Sequence, residues 1–153
     1  MSKKNKIKII QQTHRSNNYN LKNIYDEAEI ENTIFDFDEN LADLINQSDL
    51  CITRAGASTL AELSIMNKPF LTIPLISAKD NHQLENANFY QNLGCCWIMS
   101  QKDFNEVNLE KFIDHIIMNK SEYNVKKNNL EKHNFQNSWN DINQKILETI
   151  NEN

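Results

Sequence analysis

Residues 48–75 read SDLCITRAGASTLAELSIMNKPFLTIPL. The stretch opens on a short apolar run, Leu50 to Thr53, of the length and composition of a buried strand. A turn of small residues follows, Arg54-Ala55-Gly56-Ala57. From Ser58 to Met66 the pattern turns helical, with Leu60, Leu63 and Ile65 apolar and Pro69 just past the end, where a helix cannot continue. Phe70 to Pro74 is a second apolar run. Strand, tight turn, helix and strand in such short compass make a βαβ unit, and its two strands must run parallel.

The same alternation extends both ways. Upstream, Ile7 to Gln12 reads as a strand, Leu21 to Glu29 as a helix, Asn32 to Phe37 as a strand, and a helix follows with Leu41, Leu44 and Ile45 on one face. Downstream, Asp80 to Leu93 reads as a helix stopped by Gly94, and Cys95 to Met99 as a fifth strand. Glu106 to Met118 and Glu122 to Asn151 are two terminal helices, the last with a periodicity diluted by asparagine. Strands alternating with helices predict an α/β fold, a Rossmann-like parallel sheet with helices on both faces. With 153 residues, no repeat and no linker, the expectation is one domain over 1–153.

Composition narrows the function classes. The chain is 39% apolar and 24% charged, the balance of a soluble globular protein. It has only 2 Gly and 2 Pro, so turns fall to Asn, Asp and Ser, and each Gly carries more information than usual. A net charge of -5 argues against a nucleic-acid partner, which needs a basic face to displace counterions. The local basic run Lys3, Lys4, Lys6 and Lys8 reads as a solvated tail. Cys51, Cys95 and Cys96 have no metal-ligand spacing, and an odd count suits a reducing compartment. No apolar run approaches the roughly 20 residues that span a bilayer. The opening MSKKNKIKII lacks the apolar core of a secretory signal. A soluble, cytoplasmic protein is the expectation.

In an open parallel sheet, ligands bind beyond the carboxyl ends of the strands. Three loops there are unusual. Arg54 to Glu62 joins a strand to a helix through small residues, an arrangement that aims backbone N–H groups and the helix dipole at an anion. Gly56 allows a close backbone approach, Ser58 and Thr59 bring hydroxyls, and Glu62 lies one turn in. Plain N-capping by Ser58 or Thr59, with Glu62 complementing the dipole, fits the same spacing. The second loop, Pro74 to Asn86, crowds Asp80, Asn81, His82, Gln83 and Asn86 at a helix start. Amide and imidazole groups donate and accept, which suits sugar hydroxyls; Asp80 is equally a natural N-cap and His82 an ordinary exposed histidine. No Ser or Cys stands at a spacing that would make His82 part of a nucleophilic triad. The third loop, Phe35 to Asn40, places Phe37 at a strand end, either as core or as a platform for a planar base.

Together these loops resemble the donor-binding half of the MurG family of GT-B glycosyltransferases. The stretches SDLCITRAGASTLAEL, KPFLTIPL and AKDNHQLENA follow that family's order and spacing: R-[AS]-G-A-x-T-x-x-E, then D-x-x-Q-x-x-N-A. The second motif favours this family over the UDP-GlcNAc 2-epimerases. The resemblance implies a Rossmann-like GT-B C-terminal domain binding UDP-GlcNAc. It implies GlcNAc transfer to undecaprenyl-diphospho-muramoylpentapeptide in peptidoglycan synthesis, with inversion and with no metal or other cofactor. By the same resemblance, Glu62 holds the ribose hydroxyls. Thr59 and the N–H groups at Ala57 and Ser58 meet the diphosphate, with Arg54 and Gly56 opening that turn. Gln83, Asn86 and His82 face the GlcNAc, and Phe37 with the backbone of Asp38 receives the uracil.

The resemblance also defines what the sequence does not match. A whole family member is about twice as long, with an acceptor-binding, membrane-associating domain that carries the candidate general base; no catalytic residue is assigned here. The family's glycine-rich G-G-S-x-G-A loop and its strand would precede Ile7, and His14 stands where the family has glycine. The expected partners are therefore UDP-GlcNAc, an acceptor-domain chain, and through it a lipid-linked acceptor at the inner face of the membrane. A fragment, one subunit of a split GlcNAc transferase and a non-catalytic nucleotide-sugar-binding remnant are the three forms such a chain can take.

Overall fold

The computed structural model describes residues 6–75 and 81–136. The chain divides into two compact units, Met1–Ser48 and Asp49–Asn153. In the first, β1 (Lys8–Gln12) leads through a 3-10 turn at Arg15–Asn17 into α1 (Asn18–Glu27), followed by β2 (Glu31–Phe35) and α2 (Leu41–Asn46). The two strands are parallel, with Ile9 opposite Asn32 and Gln11 opposite Ile34. Tyr25 on α1 donates its hydroxyl to the Gln11 side chain, which ties the crossover helix to the sheet.

The second unit carries β3 (Cys51–Thr53), α3 (Ala57–Ile65), β4 (Phe70–Thr72), α4 (His82–Asn92), β5 (Cys96–Ile98), α5 (Glu106–Met118) and α6 (Lys120–Gln136). Its sheet runs β3-β4-β5, all parallel. The central strand reads as a continuous apolar run because it is buried on both faces: Phe70, Leu71 and Thr72 are all inaccessible. Leu60 and Leu63 of α3, Ala87 of α4, Ile116 of α5 and Leu130 of α6 complete the core. The register sets Thr53 opposite Thr72 and Thr72 opposite Ile98. The three strands thus finish level, and the loops that follow β3 and β4 open on the same end of the sheet.

The alternation of strands and helices is that expected, and every strand pairing is parallel. The expected continuous sheet is instead two sheets, because β1 and β2 bond to each other and share no ladder with β3. Helix α3 begins at Ala57, one residue earlier than the expected Ser58 start. The expected Asp80 cap lies outside the described residues, as does the final helix beyond Gln136.

Glycine scarcity shows in the helix ends. Three helices stop in the same way, with one residue in the left-handed region: Glu29 (φ 56°), Asn67 (φ 52°) and Gly94 (φ 69°). In each, the next N–H reaches back five residues in the Schellman manner, Ile30 to Tyr25, Lys68 to Leu63 and Cys95 to Tyr90. Only one of the three uses glycine. The asparagines that blur the periodicity of α6 serve as ties. Asn129 donates to the Gly94 carbonyl at 3.1 Å, and Asn134 to the Ser64 carbonyl at 2.6 Å and to Asn67 Oδ1 at 2.7 Å. They hold α6 across the ends of α3 and α4.

Candidate functional site

The candidate site is built where β3 and β4 end. Helix α3 begins at Ala57 with Gly56 as its N-cap, in extended backbone (φ -69°, ψ 133°) and with no side-chain cap. The first N–H groups of an α-helix have no intrahelical partner, so Ala57, Ser58 and Thr59 present donors on the positive end of the dipole. The capping alternative for Ser58 and Thr59 is therefore not the arrangement found, since both lie inside the helix. Gly56 is not required by its dihedrals. Nor does the protein crowd it: a Cβ there would meet only Thr59 Oγ1, at 3.8 Å.

Side-chain placement in α3 follows from its buried stripe. Leu60, Leu63 and Ser64 are buried, which leaves Glu62 on the exposed side of the helix. Its carboxylate is exposed, and no partner for it is found among the described residues. That leaves both oxygens available as acceptors.

Helix α4 supplies the second wall. Ala87 is fully buried and Tyr90 packs edge-on against Phe70, ring centroids 5.5 Å apart. Positions 83, 86, 87 and 90 share one helical face, so the packing that buries Ala87 and sets Tyr90 against Phe70 also delivers Gln83 and Asn86 to the loop ends. Gln83 Oε1 accepts the Leu75 N–H at 3.0 Å, and Asn86 Nδ2 donates to the Ala55 carbonyl at 3.0 Å. Arg54 Nη1 donates to the Ile73 carbonyl at 3.1 Å. His82 is exposed as the first residue of α4. Between α3 and α4 lies a cleft of about 310 Å³ lined by Ala57, Glu85, Asn86, Phe89 and Tyr90, at the small end of ligand pockets.

In the first unit, Phe37 stands in the loop after β2 and is 78% exposed, which disposes of the core reading for that ring. The Asp38 carboxylate accepts the Asn40 N–H at 2.7 Å and shapes the turn into α2. His14 has ordinary extended backbone (φ -62°, ψ 140°) and accepts the Ser16 N–H. A non-glycine residue there strains nothing. The engagement of Arg54, Gln83 and Asn86 with backbone groups was not foreseen from the motifs. The helical spacing of Gln83, Asn86 and Ala87 was the available signal.

Residues 1–146 match the family model for the glycosyltransferase family 28 C-terminal domain. The chain belongs to this glycosyltransferase family. It is 48% identical over its full length to a Pelagibacter ubique protein named UDP-N-acetylglucosamine–N-acetylmuramyl-(pentapeptide) pyrophosphoryl-undecaprenol N-acetylglucosamine transferase, covering 43% of that protein. A Rickettsia bellii protein of the same name is 38% identical over 83% of the chain, which covers 36% of that protein. The crystal structure of Acinetobacter baumannii MurG superposes with a TM-score of 0.72 at 26% identity, over 85% of this chain and 38% of that one. The glycosyltransferase family 28 chain thus spans about two fifths of the relatives it matches and has the mixed α/β fold of the MurG C-terminal GT-B domain. No helix among its described residues is long and apolar enough to cross a membrane.

Proposed function

We propose that this chain is the donor-binding part of a transferase that moves GlcNAc from UDP-GlcNAc to undecaprenyl-diphospho-muramoylpentapeptide in peptidoglycan synthesis. The observation that carries this reading is the uncapped start of α3 behind Gly56, a glycine that neither dihedral nor crowding explains, in a chain of this family. Glycine is a better N-cap than alanine, and beside that preference it leaves room for close approach of a ligand.

In this reading the diphosphate meets the N–H groups of Ala57 and Ser58 and the Thr59 hydroxyl. Glu62 accepts the two ribose hydroxyls, which two free carboxylate oxygens suit. Gln83, Asn86 and His82 face the sugar with whatever donors and acceptors their internal bonds leave unused. Phe37 and the Asp38 backbone are assigned to the uracil by the resemblance. When the glycosidic bond breaks, negative charge grows on the departing diphosphate, and fixed N–H dipoles at a helix start stabilise it without reorganising. An inverting transfer also needs a base for the acceptor hydroxyl. That group and the lipid-linked acceptor site are assigned to the acceptor-binding part of the enzyme, which brings the assembly to the inner face of the membrane.

Calorimetric titration of the chain with UDP-GlcNAc, with UDP-glucose as control, tests the reading. Selective binding is expected, and Glu62→Ala weakens it by about 1.5–3 kcal/mol, the scale of hydrogen bonds to a charged group. A folded chain that binds neither nucleotide sugar refutes the donor site, and an unchanged affinity in the folded variant refutes the ribose role.

A further inference from the structure

Three consecutive residues at the end of β3 are each tied to a neighbouring segment. The Thr53 carbonyl accepts the Ile73 N–H at 2.9 Å. The Arg54 guanidinium returns to the Ile73 carbonyl at 3.1 Å. The Ala55 carbonyl takes the Asn86 side chain at 3.0 Å. Ala55 is fully buried, and a buried carbonyl without a donor costs about 1–3 kcal/mol; Asn86 is the donor it has. The next residue is Gly56, whose carbonyl accepts the first helical bond, from the Leu60 N–H at 3.0 Å. The chain is thus held on both sides up to the residue at which the open N–H groups begin.

We propose that Asn86, together with Arg54, is a positioning residue that braces the Ala55–Gly56 turn and so fixes the N–H groups opening α3 before a diphosphate arrives. The proposal rests on the donor-site reading for its ligand, but the brace itself is a property of the free chain. Its chemistry is directional. A carbonyl only accepts, so the Asn86 nitrogen must face Ala55, and it is the amide oxygen that remains for other partners. A brace acts equally on every ligand that uses the turn. A contact to the sugar acts only on ligands that carry the sugar.

The test uses Asn86→Ala and, should that variant not fold, Asn86→Leu, which keeps the volume and removes the donor. Without ligand, the Ala55 carbonyl carbon resonance shifts and the Leu60 amide exchanges about tenfold faster, as loss of one hydrogen bond implies. The Met99 amide, bonded to the Thr72 carbonyl on the far side of the sheet, keeps its rate. With ligand, the affinity for UDP, which lacks the sugar, falls about tenfold, that for UDP-GlcNAc falls by at least the same factor, and that for uridine does not change. An unchanged Leu60 rate overturns the brace. A loss confined to UDP-GlcNAc also overturns it, by making Asn86 a sugar contact. If the unsubstituted chain binds none of the three ligands while the Leu60 amide still loosens in the variant, the donor-site reading fails and the brace stands.

Discussion

Gly56→Ala separates a structural glycine from a ligand-facing one. The backbone at Gly56 is extended (φ -69°, ψ 133°), a conformation alanine adopts freely. The added methyl would touch only Thr59 Oγ1, at 3.8 Å, an ordinary van der Waals distance, so nothing has to move. Two opposing terms remain. Alanine is a poorer N-cap than glycine, a cost of roughly 0.5–1 kcal/mol. Restricting the unfolded chain returns about 0.4–1 kcal/mol. The two nearly cancel, and the melting temperature should move by no more than about 2 °C. Binding is another matter. A Cβ at the N-cap stands beside the N–H groups of Ala57 and Ser58, where a diphosphate oxygen would approach. Losing one hydrogen bond to a charged oxygen costs about 1.5–3 kcal/mol, or roughly ten- to a hundredfold in Kd for UDP. Thermal melts and UDP titrations of the two proteins measure both quantities. Unchanged melting with unchanged UDP affinity would refute the reasoning, because no ligand would then approach Gly56. A large fall in melting temperature would refute it differently, by showing the glycine to be structural.

Gly94→Ala should behave in the opposite way. Gly94 has φ +69°, and a Cβ there would lie 2.6 Å from Asn129 Nδ2, the group that donates to the Gly94 carbonyl. The left-handed residue alone costs about 1–2 kcal/mol, so denaturant unfolding should report a loss of at least that size, with donor affinity unaltered in the fraction that remains folded. Thr72→Val should stabilise the chain. Thr72 is inaccessible and its hydroxyl has no hydrogen-bond partner among the described residues, and removing an unpaired buried hydroxyl recovers about 1 kcal/mol; a destabilised valine variant would mean the hydroxyl is engaged. Alkaline conditions should weaken the fold. Burial pushes the Cys96 thiol from 9.0 up to about 12 and raises Cys95 and Tyr90 as well. The folded chain therefore holds protons that the unfolded chain releases, so stability is complete below pH 9 and declines as pH rises toward 12. Denaturant midpoints across that range check the sign, and a flat profile would contradict it.

How much of this was legible in the sequence follows from what each pattern encodes. The βαβ unit of residues 48–75 announced itself because β4 is buried on both faces and so reads as an unbroken apolar run, while Pro69 stands just past the end of α3. The open N–H groups were only half legible, since the same spacing fits N-capping by Ser58 or Thr59, and the position of Gly56 as N-cap decides between them. Helix ends were harder. Glu29 and Asn67 occupy left-handed positions that the sequence marks with no glycine, and only the returning hydrogen bonds identify them. The weak periodicity of α6 is explained in the same terms: Asn129 and Asn134 are tertiary ties rather than solvated surface, and a residue's partner far along the chain cannot be read from its spacing. Strand continuity was the remaining difference. Periodicity specifies that β1 and β3 are strands, but not which strands share a ladder.

The same limit explains why a motif can name residues without showing how the fold engages them. Gln83 and Asn86 suit sugar hydroxyls because each amide donates and accepts, and the residue type says no more than that. The fold then commits one end of each. Gln83 turns its oxygen to the Leu75 N–H, which leaves its NH2 for other partners. Asn86 turns its nitrogen to the Ala55 carbonyl, which leaves its oxygen. One helical face, fixed by the burial of Ala87 and the packing of Tyr90 on Phe70, thus holds an amide with its donors uncommitted and, one turn on, an amide with its oxygen uncommitted, a complementary pair for a hydroxyl-bearing ligand in the proposed donor site. The inward half of each amide secures a strand-end loop, and that loop in turn sets the direction of the outward half. In the proposed donor site, positioning and recognition would fall to the same side chains, and alanine at either position would remove both together. That is why ligands differing only in the sugar or the diphosphate are needed to separate them.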